Sequence, residues 1–209
     1  MQVVFTRDVA EAASALRRGS LVVYPTETFY GLGALATLPA ALARLAAAKL
    51  RPADKPLPLV AADDAMAFAL WAAVPAEARV LAGAFWPGPL TLVAAAAPGL
   101  PGPVTLGGAV GVRVPGSELA RELCRLAGGP VISTSANPSG GPAPASVEEL
   151  DPELLSRVDL VLDGGPTSGG LPSTVVQVGE GGPRMLRAGA VPWEAVEAVL
   201  RSSLPSRGA

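Results

Sequence analysis

Histidine is absent from this 209-residue chain, and cysteine occurs once, at Cys124. Together these exclude His-based catalytic triads, histidine metal sites, zinc knuckles and disulfide frameworks. Lysine occurs only at Lys49 and Lys55, asparagine only at Asn137, and both tyrosines, Tyr24 and Tyr30, fall in one short stretch. Aromatic residues make up 4% of the chain, which leaves few platforms for stacking bases. The balance of 16 basic against 18 acidic residues gives a net charge of −2, so no global basic field holds nucleic acid by counterion release. High-affinity RNA binding is therefore not expected. No apolar run reaches the roughly 18 residues of a spanning helix. The opening MQVVFTRDVAEAA reads as a strand entering a capped helix, not as a signal peptide. A soluble cytoplasmic protein with no membrane partner is the expectation.

What is abundant is alanine, glycine, proline and arginine. Half of the residues are hydrophobic, enough for one domain with a substantial core. Lysine and asparagine survive this bias only at positions 49, 55 and 137, which marks those positions as candidates for chemistry that arginine and alanine cannot supply.

Read along the chain, Asp8 caps a helix running to Arg18 and Gly19 stops it. LVVY (21–24) is a short buried strand, and Thr37 and Pro39 open a helix to about Lys49. LPLV (57–60), LTLVAA (90–95), GVRV (111–114), PVIST (130–134), DLVLD (159–163), STVVQV (173–178) and RMLR (184–187) read as further strands. Helices are expected after Asp63, Pro75, Ser117 and Pro192. Strands and helices mix without a strict βαβ rhythm. The expectation is a single α/β domain over 1–201 with a twisted mixed sheet, and a frayed tail over 202–209.

Four segments carry candidate chemistry. In YPTETFYGLG (24–33), a strand end releases hydroxyls into a glycine-containing loop suited to a small polar ligand; an ordinary helix cap is the alternative. In KLRPADKPLPLV (49–60), three cations and three prolines suit a polyphosphate, although Lys49 and Arg51 also fit a helix C-terminus. STSANPSGG (133–141) follows a strand with hydroxyls, the sole asparagine and two glycines. Such a loop cradles phosphate or ribose, or simply forms Asx and Ser turns. Arg113 lies mid-strand in an apolar setting and needs a partner, either a ligand carboxylate or a buried Asp or Glu. Arg187, at another strand end, can reach the same cleft.

In this order the segments PTETFYGLG, KLRPADKPL, FWPGPLTLV, VGVRVP, STSANPSG and STVV with LRAG resemble the YrdC-like family, the L-threonylcarbamoyladenylate synthases. The likeness spans about residues 10–190. It implies a YrdC-like fold with an open concave cleft and a nucleotidyl transfer. In that reaction L-threonine, bicarbonate and ATP give threonylcarbamoyl-AMP and pyrophosphate, and a downstream tRNA-modifying transferase complex uses the product next to the anticodon. Longer members carry a further C-terminal domain, which this chain is expected to lack.

By the resemblance, Lys49 and Arg51 match the catalytic K-x-R pair. Thr28, Arg113 and Ser133 fall on threonine-contacting positions. Arg51, Lys55, Ala109, Ser135, Asn137, Ala143 and Arg187 fall on the nucleotide side. Ala109 and Ala143 stand where other members have a hydroxyl, and Val60 stands where some have a histidine near threonine. ATP is the expected substrate, with Mg2+ carried on its phosphates and no metal held by the protein. The alternatives are an RNA-binding module of the same fold and a paralogous carbamoyl or nucleotidyl transferase acting on another substrate.

Overall fold

The computed structural model describes residues 3–49, 57–105, 107–138 and 140–203. The chain begins with β1 (Val4–Thr6), α1 (Val9–Arg17), β2 (Val22–Pro25), β3 (Tyr30–Gly33) and α2 (Pro39–Lys49). It continues with β4 (Leu59–Val60), α3 (Asp64–Phe68), α4 (Ala76–Phe85), β5 (Leu90–Ala95), β6 (Ala109–Arg113) and α5 (Glu118–Ala127). Then come β7 (Val131–Ile132), β8 (Thr134–Ser135), α6 (Pro152–Leu155), β9 (Leu160–Leu162), β10 (Thr174–Gln177), β11 (Arg184–Arg187) and α7 (Trp193–Ser203). Short polar side chains start the helices by satisfying their first free amides. Asp8 accepts from the Ala10 N–H at 2.8 Å, Asp63 from Met66 at 2.8 Å and Ser117 from Ala120 at 3.2 Å.

The expected mixed α/β architecture is present, with the strands divided between two sheets. One has the order β1-β9-β2-β3-β8 and the other β11-β10-β5-β6-β4-β7. In the first sheet, β2 alternates its side chains between two cores: Val22 and Tyr24 face one, Val23 the other. Strand β9 does the same, with Leu160 and Leu162 opposed to Val161. Burial on both faces explains why these strands read as continuous apolar runs. The smaller core is closed by α1 and α5. Their alanine-rich inner faces (Ala12, Ala13, Ala120, Ala127) allow the two helices to approach closely.

Three expectations change. PVIST is not one strand: the chain leaves the second sheet after Ile132 and joins the first at Thr134, switching sheets at Ser133. The stretch after Pro25 is not all loop, because Tyr30–Gly33 returns as β3 antiparallel to β2. Helix α7 runs to Ser203, past the expected boundary at 201, while 204–209 lie outside the described residues.

Candidate active site

The two sheets diverge from the switch at Ser133, and between them lies a cavity of about 420 Å³. From the first sheet it receives the β2–β3 turn. Thr26 organises this turn, its Oγ1 accepting from the N–H groups of Thr28 and Phe29 at 3.3 Å and donating to the Phe29 carbonyl at 2.8 Å. A strap at 163–173 clamps the turn from outside. Thr167 Oγ1 donates to the Thr28 carbonyl at 2.7 Å, the Gly169 N–H donates to the same oxygen at 2.8 Å, and the Tyr30 hydroxyl donates to the Gly165 carbonyl at 2.7 Å.

The two glycines of the YGLG stretch serve close approach, not unusual dihedrals. A Cβ on Gly33 would sit 2.6 Å from Tyr24 Cε1, and one on Gly31 would sit 3.4 Å from Ser133 Oγ. Bare backbone there lets the Tyr24 ring lie across β3, and its hydroxyl donates to the Ile132 carbonyl at 2.9 Å, beneath the switch. Burial, chiefly, pushes that phenol far above its ordinary pKa, so it remains a neutral donor.

From the second sheet come Thr91, Arg113, Ser173 and Arg187. Arg187 grips the backbone of Ser173, its Nη2 donating to the Ser173 carbonyl at 2.7 Å and to Ser173 Oγ at 3.0 Å. Ser173 Oγ also lies 2.9 Å from Thr91 Oγ1. Gly189 makes this packing possible, since a Cβ there would fall 2.2 Å from the Pro172 carbonyl oxygen. Desolvation, and then the positive charge of Arg113, lower the Arg187 pKa, yet a guanidinium stays charged at physiological pH. The cavity therefore holds two arginine cations that act on each other.

The third wall is the loop after β8. Lys49, the last residue of α2, is only 5% exposed and does not serve as a solvent-facing helix-end charge. Its Nζ donates to the Ser135 carbonyl at 2.5 Å and to Asn137 Oδ1 at 3.2 Å. Ser135 Oγ donates to the same Asn137 oxygen at 2.5 Å, and Asn137 Nδ2 donates to the Gly141 carbonyl. The lone asparagine and one of the two lysines thus form one connected network.

Thr28, Arg113, Ser133, Ser135, Asn137, Ala143 and Arg187 all line the cavity. Lys49 stands behind the lining and holds it. Ala109 does not reach the cavity: it begins β6, opposite Ala95 and about 13 Å of strand away from Arg113. Val60 is fully buried with Tyr24 and Cys124 in the smaller core, so its side chain does not line the cavity either. Arg51 and Lys55 lie outside the described residues.

Thr26, Glu27, Thr91 and Ser173 fall inside segments that the sequence singles out, but none of them has a role of its own in that reading. The signal for Glu27 was present, because Arg113 required either a ligand or a buried acid, and Glu27 pairs with Arg113 Nη1. Cys124 is not a nucleophile in this setting. It is fully buried, burial pushes its thiol up to about 12, and Sγ donates to the Val60 carbonyl.

Residues 14–189 match the Sua5/YciO/YrdC family model, described as telomere recombination. The chain belongs to this family. It is 42% identical over 190 residues to the threonylcarbamoyl-AMP synthase of Pyrococcus abyssi, covering 90% of this chain and 56% of that protein. It is 39% identical over 194 residues to the enzyme of the same name from Bacillus subtilis, covering 92% and 56%. The chain thus spans little more than half the length of these two relatives. The crystal structure of P. abyssi Sua5 complexed with L-threonine superposes with a TM-score of 0.89 at 38% identity, covering 96% of this chain and 61% of that one. Among the described residues of this Sua5/YrdC-family chain, no helix is long and apolar enough to cross a membrane.

Proposed function

We propose that this chain makes threonylcarbamoyl-AMP, joining L-threonine, bicarbonate and ATP and releasing pyrophosphate. The observation that carries the reading is one cavity between the sheets that gathers two arginine cations with hydroxyl and amide side chains. Arg113, Thr28 and Ser133 offer a cation and hydroxyls to a small amino acid carrying a carboxylate. Ser135 and Asn137, held from behind by Lys49, line the same cavity as the Arg187 cation and suit a nucleotide. The P. abyssi relative that bears this enzyme's name has been crystallised with L-threonine, which supports the amino-acid site.

The chemistry follows from placement. The threonine amine adds to carbon dioxide derived from bicarbonate, giving a carbamate. A carbamate oxygen attacks the α-phosphorus of ATP, the bond from that phosphorus to its bridging oxygen breaks, and pyrophosphate leaves. Holding the two substrates in one cavity converts an encounter of separate molecules into an oriented step. Fixed cations stabilise charge on the departing group, and no covalent nucleophile is required. Magnesium enters as part of the substrate, on the ATP phosphate oxygens and water. The adenylate is then consumed by a downstream tRNA-modifying transferase in the cytoplasm, and tRNA binding by this chain itself is weak or indirect. The test is pyrophosphate release from ATP and bicarbonate with and without threonine. Release that requires threonine is expected; release that ignores it, or none at all, refutes the assignment.

A further inference from the structure

Arg113 ends β6 with its side chain 8% exposed, and the Glu27 side chain that pairs with it is 20% exposed. Glu27 stands apart from its neighbours in the turn. Thr26 and Thr28, on either side, line the cavity between the sheets and Glu27 does not; with Thr26, Ser117, Gly164 and Thr167 it lines a separate depression of about 260 Å³. Its carboxylate thus meets Arg113 from behind the cavity wall. Its stem lies against bare backbone at Gly116, where a Cβ would stand 3.3 Å from Glu27 Cγ. The second carboxylate oxygen, Oε2, is buried and accepts no hydrogen bond among the described residues.

A buried carboxylate with one oxygen unmatched is a poor device for stability, because desolvation of that oxygen is uncompensated. What the arrangement does achieve is to hold one edge of the Arg113 guanidinium. We propose that Glu27 is a positioning residue for the amino-acid carboxylate site: it holds Arg113 from behind so that the guanidinium faces the cavity in one orientation. The proposal rests on the reading of this cavity as a threonine site.

A simpler role for Glu27 makes the opposite prediction. If the acid only neutralised Arg113, removing it would strengthen the field on an incoming carboxylate and lower the KM for threonine. If it is a clamp, removing it frees a long flexible side chain. The repulsion between Arg113 and Arg187 across the cavity then drives the guanidinium away from its binding orientation, and KM rises. The two roles differ in sign.

The experiment compares wild type, Glu27→Gln and Glu27→Asp in threonine-dependent pyrophosphate release, with L-threonine binding followed separately by calorimetry. In Glu27→Gln the KM for threonine is expected to rise about tenfold while kcat and the KM for ATP stay within about threefold. Glu27→Asp, which keeps the charge on a shorter stem, is expected to fall between the two. An unchanged or lower threonine KM in Glu27→Gln, or a loss confined to kcat, overturns the proposal. If Glu27→Gln does not fold, Glu27→Asp decides: a threonine KM equal to that of wild type overturns the clamp, and a raised one sustains it. Wild type that binds threonine without releasing pyrophosphate removes the assigned reaction but leaves the clamp to be judged by binding. Wild type that binds no threonine removes both.

Discussion

Lys49→Met is the substitution whose consequences the structure specifies most fully. It keeps most of a buried aliphatic stem and deletes the ammonium. At least two charge-assisted bonds go, to the Ser135 carbonyl at 2.5 Å and to Asn137 Oδ1 at 3.2 Å. Bonds to a charged group contribute about 1.5–3 kcal/mol each, and release from the desolvation of the ammonium returns part of the sum. A net loss of about 2–3 kcal/mol is expected, which for a chain of this size lowers Tm by about 4–12 °C. Because Ser135 and Asn137 line the cavity, turnover should fall by at least about tenfold as their loop loses its anchor. Lys49→Arg keeps the charge but forces a larger planar group into a buried site, at a cost of about 1–3 kcal/mol. Scanning calorimetry gives Tm, and threonine-dependent pyrophosphate release gives turnover. A Lys49→Met protein melting within about 2 °C of wild type with full activity would refute the anchoring role, since a loss of this size cannot be hidden at that precision.

Three further outcomes can be checked. Arg113→Lys cannot reach Glu27 and a substrate carboxylate with the same planar fork, so the threonine KM should rise about tenfold with ATP less affected; steady-state kinetics on a folded variant decides it. Gly189→Ala places a methyl against backbone at 2.2 Å from the Pro172 oxygen and 2.5 Å from Thr174 N, contacts no rotamer change relieves. A loss of about 3 kcal/mol or more is expected, read as a Tm lowered by at least about 6 °C; an unchanged Tm would contradict the packing argument. Asp163 is held below the usual carboxylate range, first by the Gly165 N–H and then by Arg7. Its contribution to stability is complete above the ordinary aspartate pKa and is lost as pH falls through the depressed folded value. Asp163→Asn should therefore narrow the stability difference between pH 6 and pH 3, and acid titration followed by circular dichroism measures that.

Much of the fold was legible because local chemistry determines it. The caps at Asp8, Asp63 and Ser117 are properties of a few adjacent residues, and strand β5 occupies the LTLVAA stretch that the sequence marks out. What was not legible depends on partners distant in the sequence. PVIST looks like one strand by composition, and only the backbone of β4 on one side and of β3 on the other splits it at Ser133. Strand β3 hid for a related reason. Two of its four residues are glycines, which weaken any strand signal, and the Tyr24 ring that makes Gly33 necessary lies on the neighbouring strand.

The candidate site divides along the same line. Residue rarity picked out Lys49 and Asn137 separately, from segments 88 positions apart, and the structure joins them in one hydrogen bond. Rarity carries no information about direction, however, so it could not tell a cation facing substrate from one holding the wall behind it. Ala109 shows a different limit of the sequence. It shares a strand with Arg113, yet about 13 Å separates the two ends of that strand, and strand membership places a residue in a sheet, not at its site-bearing edge. Glu27 is the instructive case between these. The cost of an unpaired Arg113 demanded an acid, and two acids precede Glu27 in the chain while fifteen follow it. Only the antiparallel return of β3, which turns the chain at 26–29 directly over the end of β6, selects the one that answers. Physical need was readable from the residues; the identity of the partner belongs to topology.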